Sequence, residues 1–128
     1  MTKVFVDVDD TLVLFGGNSP HPYGVIEGDP FELNYPLIEK LKEFKGEIVV
    51  WSGGGAAYAR KVAMMVLPRE VEFTAETKGA TSVRGIKAGD IVVDDQPEYY
   101  TASKERGVHV FRPFEEWDLA TTMEKGQK

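Results

Sequence analysis

A chain of 128 residues, 42% hydrophobic and 28% charged, is long enough for one domain with a packed core and too short for two ordinary ones. It has no cysteine, which excludes disulfides, thiolate metal sites and thiol nucleophiles and suits a reducing cytosol. Fifteen basic residues against 21 acidic ones leave a net charge of −6, a balance that disfavours nonspecific binding to nucleic acid.

The chain opens on KVFVDV (3–8), a β-branched apolar run that reads as a strand and ends in a cluster of carboxylates, Asp7, Asp9 and Asp10. Desolvated carboxylates a few ångströms apart repel one another and resist ionisation, so a cation, or a reaction that uses them, is the natural reason to place them together. Asp10 alone reads as a turn or capping residue. The same acids interrupt the apolar segment where a secretory signal would continue. Apolar runs elsewhere, such as VAMMVL (62–67), are too short to span a bilayer, so a cytoplasmic protein without membrane association is expected.

A Gly/Pro-rich loop follows, LFGGNSPHPYGVIEGDP (14–30), then YPLIEKLKEFKG (35–46), whose Leu37, Ile38, Leu41 and Phe44 have helical spacing and whose Gly46 reads as a helix stop. EIVVW (47–51) is the second strand of the alternating series. It runs into Ser52, Gly53, Gly54 and Gly55, where a hydroxyl and close-approaching amides ahead of a helix start could face an oxyanion. AAYARKVAMMVL (56–67) reads as a helix stopped by Pro68, and VEF (71–73) as the third strand, followed by Lys78. From Arg60 to Lys87 six basic residues face three acidic ones, a local positive field that suits a small anion. DIVVD (90–94) is the fourth strand, ending on the pair Asp94–Asp95. PEYYTASKERG (97–107) reads as a helix between Pro97 and Gly107, VHVF (108–111) as the fifth strand, and the tail as a short helix fraying over about 122–128.

Five strands alternating with helices predict one doubly wound α/β domain over 1–128: a mainly parallel, Rossmann-like sheet, helices on both faces, right-handed crossovers. In such sheets ligands bind beyond the carboxyl ends of the strands. The unusual chemistry falls there four times, at Asp7–Thr11, at Ser52, at Lys78 and at Asp94–Asp95. Asp7, Asp9, Asp94 and Asp95 meet at one edge if the first and fourth strands are neighbours. An oxygen-only donor set favours Mg²⁺ over zinc. Lys78 lies at the same edge, whereas Lys87, ahead of the fourth strand, belongs at the opposite one. His21 and His109 are lone histidines to which no catalytic role is assigned.

These residues in this order resemble the haloacid dehalogenase superfamily of phosphohydrolases, over essentially the whole chain. DVDDTL (7–12) fits its D-x-D-x-T motif, Ser52 its second motif, Lys78 its third and the acidic pair of IVVDD its fourth. The resemblance implies a Mg²⁺-dependent phosphomonoesterase in which Asp7 is the nucleophile that becomes an aspartyl-phosphate. Asp9 would be the acid and then the base. Mg²⁺ would be held by Asp7, the Asp9 carbonyl, Asp94 and Asp95, while Ser52 and Lys78 hold the phosphoryl oxygens. Thr11, Gly53 and Gly54 belong with the substrate-binding group. The gaps between motifs leave no room for a large cap, so a capless member is implied, with a short flap hairpin at about 13–30 whose His21 and Tyr23 reach the substrate. Such an open site favours a homo-oligomer that completes the pocket, or a macromolecular substrate.

A small phosphorylated metabolite, such as a nucleotide or sugar phosphate, is the leading expectation. Phosphate ends of nucleic acid or protein are the enzymatic alternative, which the net charge opposes. A receiver-like phosphate-binding module is the non-enzymatic one. In receivers the acidic pair follows the first strand, and a residue that activates water, as Asp9 would, shortens the life of a phosphoryl switch.

Overall fold

Alternate side chains of the first strand enter different cores. In the computed structural model, which describes residues 2–17 and 22–114, Val4 and Val6 of β1 (Lys3–Asp7) join one buried cluster while Phe5 joins another. The second cluster pairs Phe5 with Trp51, their ring centroids 4.7 Å apart. A strand buried on both faces has no polar side to show, hence its continuous apolar run.

In chain order β1 is followed by β2 (Val13–Phe15), β3 (Gly24–Ile26), β4 (Asp29–Leu33), α1 (Tyr35–Glu43), β5 (Glu47–Ser52) and α2 (Ala56–Val66). Then come β6 (Thr74–Thr77), α3 (Ala80–Arg84), β7 (Ile91–Val93), a 3-10 turn (Pro97–Tyr100), α4 (Thr101–Glu105) and β8 (His109–Phe111). The main sheet has the order β6-β5-β1-β7-β8 with every pair parallel. The chain therefore builds outward from β1 through β5 to β6, then crosses back to β7 and β8. That reversal at β1 is a topological switch point, where ligands of open α/β sheets bind.

One face of the sheet is covered by α1 through Leu37, Ile38 and Leu41 and by α2 through Ala59, Val62, Ala63 and Val66. The other face is covered by Ile86, Tyr100 and Val108. The doubly wound sheet with helices on both faces is the architecture expected. Each fully buried Val or Leu contributes roughly 1.5–3 kcal/mol, so these layers hold the strand ends in fixed register.

The local differences from expectation have physical reasons. The third strand of the series is Thr74–Thr77, directly after VEF. β6 is an edge strand of exposed or half-buried residues, so it carries no apolar signal, while Val71 is buried in the core ahead of it. The first helix stops at Glu43, with Phe44 already extended. Gly46 serves a close approach instead, since a Cβ there would run into the Thr2 carbonyl. The helix expected over 97–107 is a 3-10 turn continued by α4, and α3 is too short to show a helical period. The helix and frayed end expected in the tail lie outside the described residues.

The flap is a three-stranded antiparallel sheet, order β2-β4-β3, that extends the expected hairpin to Leu33. Glu27 and Gly28, at φ 49° and 85°, close a two-residue turn between β3 and β4. Val13, Ile26, Phe31 and Leu33 sink into the core cluster shared with α1 and α2, so this sheet is anchored to the body of the molecule.

Candidate active site

The register that pairs Val6 with Val93 carries Asp7 and Asp94 off neighbouring strand ends side by side. Asp7 is 6% exposed and Asp94 fully buried. Between them lies Lys78, whose Nζ donates to Asp7 Oδ1 at 2.9 Å and to Asp94 Oδ2 at 3.0 Å. The β5–β6 ladder places it there: Ser52 pairs with Thr77, and the Lys78 amide donates to the Ser52 carbonyl at 2.9 Å. Lys87 is exposed at the opposite end of the sheet, as expected.

The other oxygens of the pair are held as well. Thr11 Oγ1 donates to Asp7 Oδ2 at 3.2 Å and accepts from the Asp95 amide at 3.1 Å. Thr11, expected among the substrate-binding residues, is wholly buried, with its hydroxyl bonded to Asp7 and the Asp95 amide. Asp94 Oδ1 accepts from the Gln96 amide at 2.9 Å, and Oδ2 also accepts from the Tyr100 hydroxyl at 2.6 Å. Oxygens of Asp7, Asp94 and Asp95 lie within 4.8 Å of one another. Asp9's carboxylate is not one of this cluster. It is exposed, and its Oδ1 accepts from the Tyr58 hydroxyl at 2.6 Å. Asp10 has φ 59° and accepts the Phe15 amide on Oδ1, the turn role expected of it.

Three carboxylates crowd together and one ammonium serves two of them, and the proton affinities follow. Burial, then the charge of Asp94, pushes the Asp7 carboxyl up, against the pull of Lys78. Asp95 is pushed up to about 7, first by burial and then by its contacts with Asp94 and Asp7. Burial works against the Lys78 ammonium, but its bonds to Asp7 and Asp94 hold it above its ordinary value. Tyr58 and Tyr100 are also raised, by burial and then by the carboxylates they serve, so both remain hydroxyl donors. A cluster with this excess of negative charge suits a divalent cation. In an octahedral Mg²⁺ site oxygens at roughly 2.1 Å stand up to about 4.2 Å apart, close to the spread of this set.

Opposite the acids, Ser52 Oγ accepts from the Gly54 amide at 3.0 Å, which leaves its own proton for an acceptor in the cleft. The Gly54 amide is thereby committed to Ser52, although Gly53 and Gly54 both border the cleft. Of the three glycines only Gly55, at φ 111°, requires the residue type by its backbone. Asp7, Asp9, Ser52, Gly53, Gly54, Lys78 and Asp95 line one cleft of about 780 Å³. Tyr23 is not brought to it. Its hydroxyl donates to the Met65 carbonyl at 3.4 Å and its ring lies 5.7 Å from Phe31. His21 lies outside the described residues.

Tyr58 and Tyr100 were not expected in the site. The signals for them are slight: Tyr58 stands in the first turn after SGGG, and Tyr100 six residues beyond Asp94.

No protein-family model, curated protein or solved structure matches this chain. The fold and the cluster of Asp7, Asp94 and Asp95 are consistent with a haloacid-dehalogenase-like phosphohydrolase fold, and the cluster can coordinate a divalent cation. Among the described residues no helix is long and apolar enough to cross a membrane.

Proposed function

We propose that the protein is a Mg²⁺-dependent phosphomonoesterase of the haloacid-dehalogenase type that works through an aspartyl-phosphate on Asp7. The observation that carries this reading is the Asp7–Lys78–Asp94 ion triple at adjoining strand ends, with Asp95 within 4.8 Å of the two acids. Bound by Asp7, Asp94, Asp95 and the Asp9 carbonyl, the cation would neutralise charge on the phosphoryl oxygens.

The side chains divide the reaction. An Asp7 oxygen attacks phosphorus while the bond to the leaving oxygen breaks, and Asp9 gives that oxygen its proton, releasing an alcohol. Asp9, now ionised, takes a proton from water, whose oxygen attacks phosphorus and frees Asp7 and inorganic phosphate. The Tyr58 hydroxyl fixes the orientation of Asp9 through both steps. Thr11 fixes that of Asp7 from the side away from Lys78. The Ser52 hydroxyl and the Lys78 ammonium hold the phosphoryl oxygens as charge builds on them. A durable phosphoryl switch would be served poorly by an exposed carboxylate beside its acceptor.

Phosphate release from p-nitrophenyl phosphate, measured with and without Mg²⁺, tests this. Mg²⁺-dependent turnover that Asp7→Asn removes is expected. Equal turnover in chelator, or in the Asp7→Asn protein, overturns it.

A further inference from the structure

The cleft is larger than a phosphoryl group needs. Its 780 Å³ falls within the roughly 300–1,000 Å³ of sites that enclose a whole small molecule. Beyond Lys78 it is walled by Val83 and Arg84 from α3, by Gln96 and Tyr99 at the 3-10 turn, and by Ala102 of α4. None of these takes part in the chemistry assigned above.

Three of them have unspent binding capacity. Tyr99 is 66% exposed although it neighbours the fully buried Tyr100, and its hydroxyl makes no hydrogen bond among the described residues. The Arg84 guanidinium has no ion pair or hydrogen bond among the described residues, in a chain that carries six more acids than bases. The Gln96 amide N–H is bound to Asp94, but its carboxamide has no partner among the described residues. Lys78, the other cation of the cleft, is already committed to Asp7 and Asp94.

Each group narrows the ligand. An exposed phenol in a cleft also lined by Val83 and Ala102 offers stacking and apolar contact to a flat ring. A guanidinium fork matches a phosphate bidentately, and with Lys78 already held by Asp7 and Asp94, Arg84 is the cation lining the cleft that is left for a further anion. A carboxamide both donates and accepts, as the edge of a nucleobase does. A sugar phosphate would leave the phenol face and the guanidinium unmatched.

We infer that this wall is the leaving-group subsite and that it takes a nucleotide bearing a second phosphate. The inference rests on the phosphatase reading for the direction of the chemistry and adds the substrate class. Two sources share this chemistry: a free nucleoside bisphosphate and the phosphorylated end of a strand.

The test compares thymidine 3′,5′-bisphosphate, both thymidine monophosphates, ribose 5-phosphate and a 3′-phosphorylated oligothymidylate as substrates. The bisphosphate should exceed ribose 5-phosphate in kcat/KM by at least tenfold. Arg84→Ala should raise KM for the bisphosphate about tenfold and leave the monophosphates within twofold, with Arg84→Lys between. Tyr99→Ala should raise KM about five- to tenfold for every nucleotide and leave ribose 5-phosphate unchanged. Both side chains lie on the surface, so folded variants are expected, and circular dichroism checks this. Whether the oligomer or the free bisphosphate has the higher kcat/KM names the source, and either order supports the subsite. Ribose 5-phosphate turned over as well as the bisphosphate, or Arg84→Ala affecting all substrates alike, overturns it. Calorimetric binding of the same compounds to Asp7→Asn protein needs no turnover. Bisphosphate bound in that ranking, with the unsubstituted protein hydrolysing none of the compounds, would refute the phosphatase reading and keep this one, and no preference in binding would refute this one alone.

Discussion

Strand β7 has a buried aspartate at each end, and the two are held in opposite ways. Asp90 accepts the backbone amide of Lys3 at 3.1 Å on one oxygen and that of Lys87 at 3.2 Å on the other. Asp94, four residues on, accepts the Lys78 ammonium and the Tyr100 hydroxyl along with one amide, and shares its surroundings with Asp7 and Asp95. Amides cannot turn away from Asp90, so that carboxylate fastens β1 to the approach of β7. Two of the three partners of Asp94 are side chains at a cleft, which can exchange one anion or cation for another. A buried acid satisfied by main chain reads as architecture, while one satisfied by side chains among like charges reads as chemistry.

The sharpest break between the two ends should come from the acid on β1. Asp7→Asn keeps the shape at the chemical end and loses the nucleophile, so turnover should vanish while the melting curve stays cooperative. A retained activity of more than a small fraction, in a clean preparation, contradicts the nucleophile assignment. Next in size, Lys78→Ala should slow phosphate release roughly 10²–10³-fold, the usual cost of a preorganised electrostatic group. Lys87→Ala at the other edge should leave the rate unchanged. Similar and mild effects of the two would erase the distinction between the edges.

Asp90→Asn and Asp94→Asn turn the comparison into a double dissociation. The first presents an amide donor to a backbone donor and should cost about 1–3 kcal/mol of stability in denaturant titrations, with activity in the folded fraction kept. The second also sets an amide donor against a donor, offset in part by removal of a like charge from beside Asp7, and its distinguishing effect should be that Mg²⁺-dependent turnover collapses.

The smallest effect is one of pH. Asp95 keeps its proton up to about 7 in the folded chain, against 3.8 for an ordinary aspartate, so between those values the folded state holds a proton that the unfolded one has lost. Metal-free stability should therefore fall as pH rises through that window. Mg²⁺ favours the ionised carboxylate and should raise the melting temperature more at pH 8 than at pH 5. Asp95→Asn should flatten the metal-free slope; an unchanged slope assigns it to another group.

Much of the chemical end was legible because strand ends are legible. Apolar runs over 3–7, 47–52 and 91–93 mark both-face burial, and the parallel rule then sends Asp7, Ser52 and Asp94 to one edge. β6 was placed early because TAET, at the rim, has little apolar surface to announce it, yet Lys78 follows it either way. Tyr58, Tyr100 and the inward turn of Thr11 were hidden, since their roles depend on which helix face or loop wall meets the acids, and spacing along a chain does not encode that. Tyr23 misled for the same reason: a loop tyrosine near the site in sequence docks on Met65 in space. Asp90 has no signal in the sequence because its partners are amides, which every residue but proline supplies.

The central position of β1 also bears on how the molecule is made. Its neighbours begin at Glu47 on one side and Ile91 on the other, and the tie from Lys3 to Asp90 spans 87 residues. As the chain leaves the ribosome, VFV can pair with β5 once Glu47–Ser52 have been made, but its other flank stays open until Ile91–Val93 follow. Closing such distant pairs costs loop entropy before it is rewarded, which makes parallel sheets slow to form. Truncations that stop before residue 91 leave the middle of the sheet with an open flank, and for them the first strand is the segment that invites aggregation.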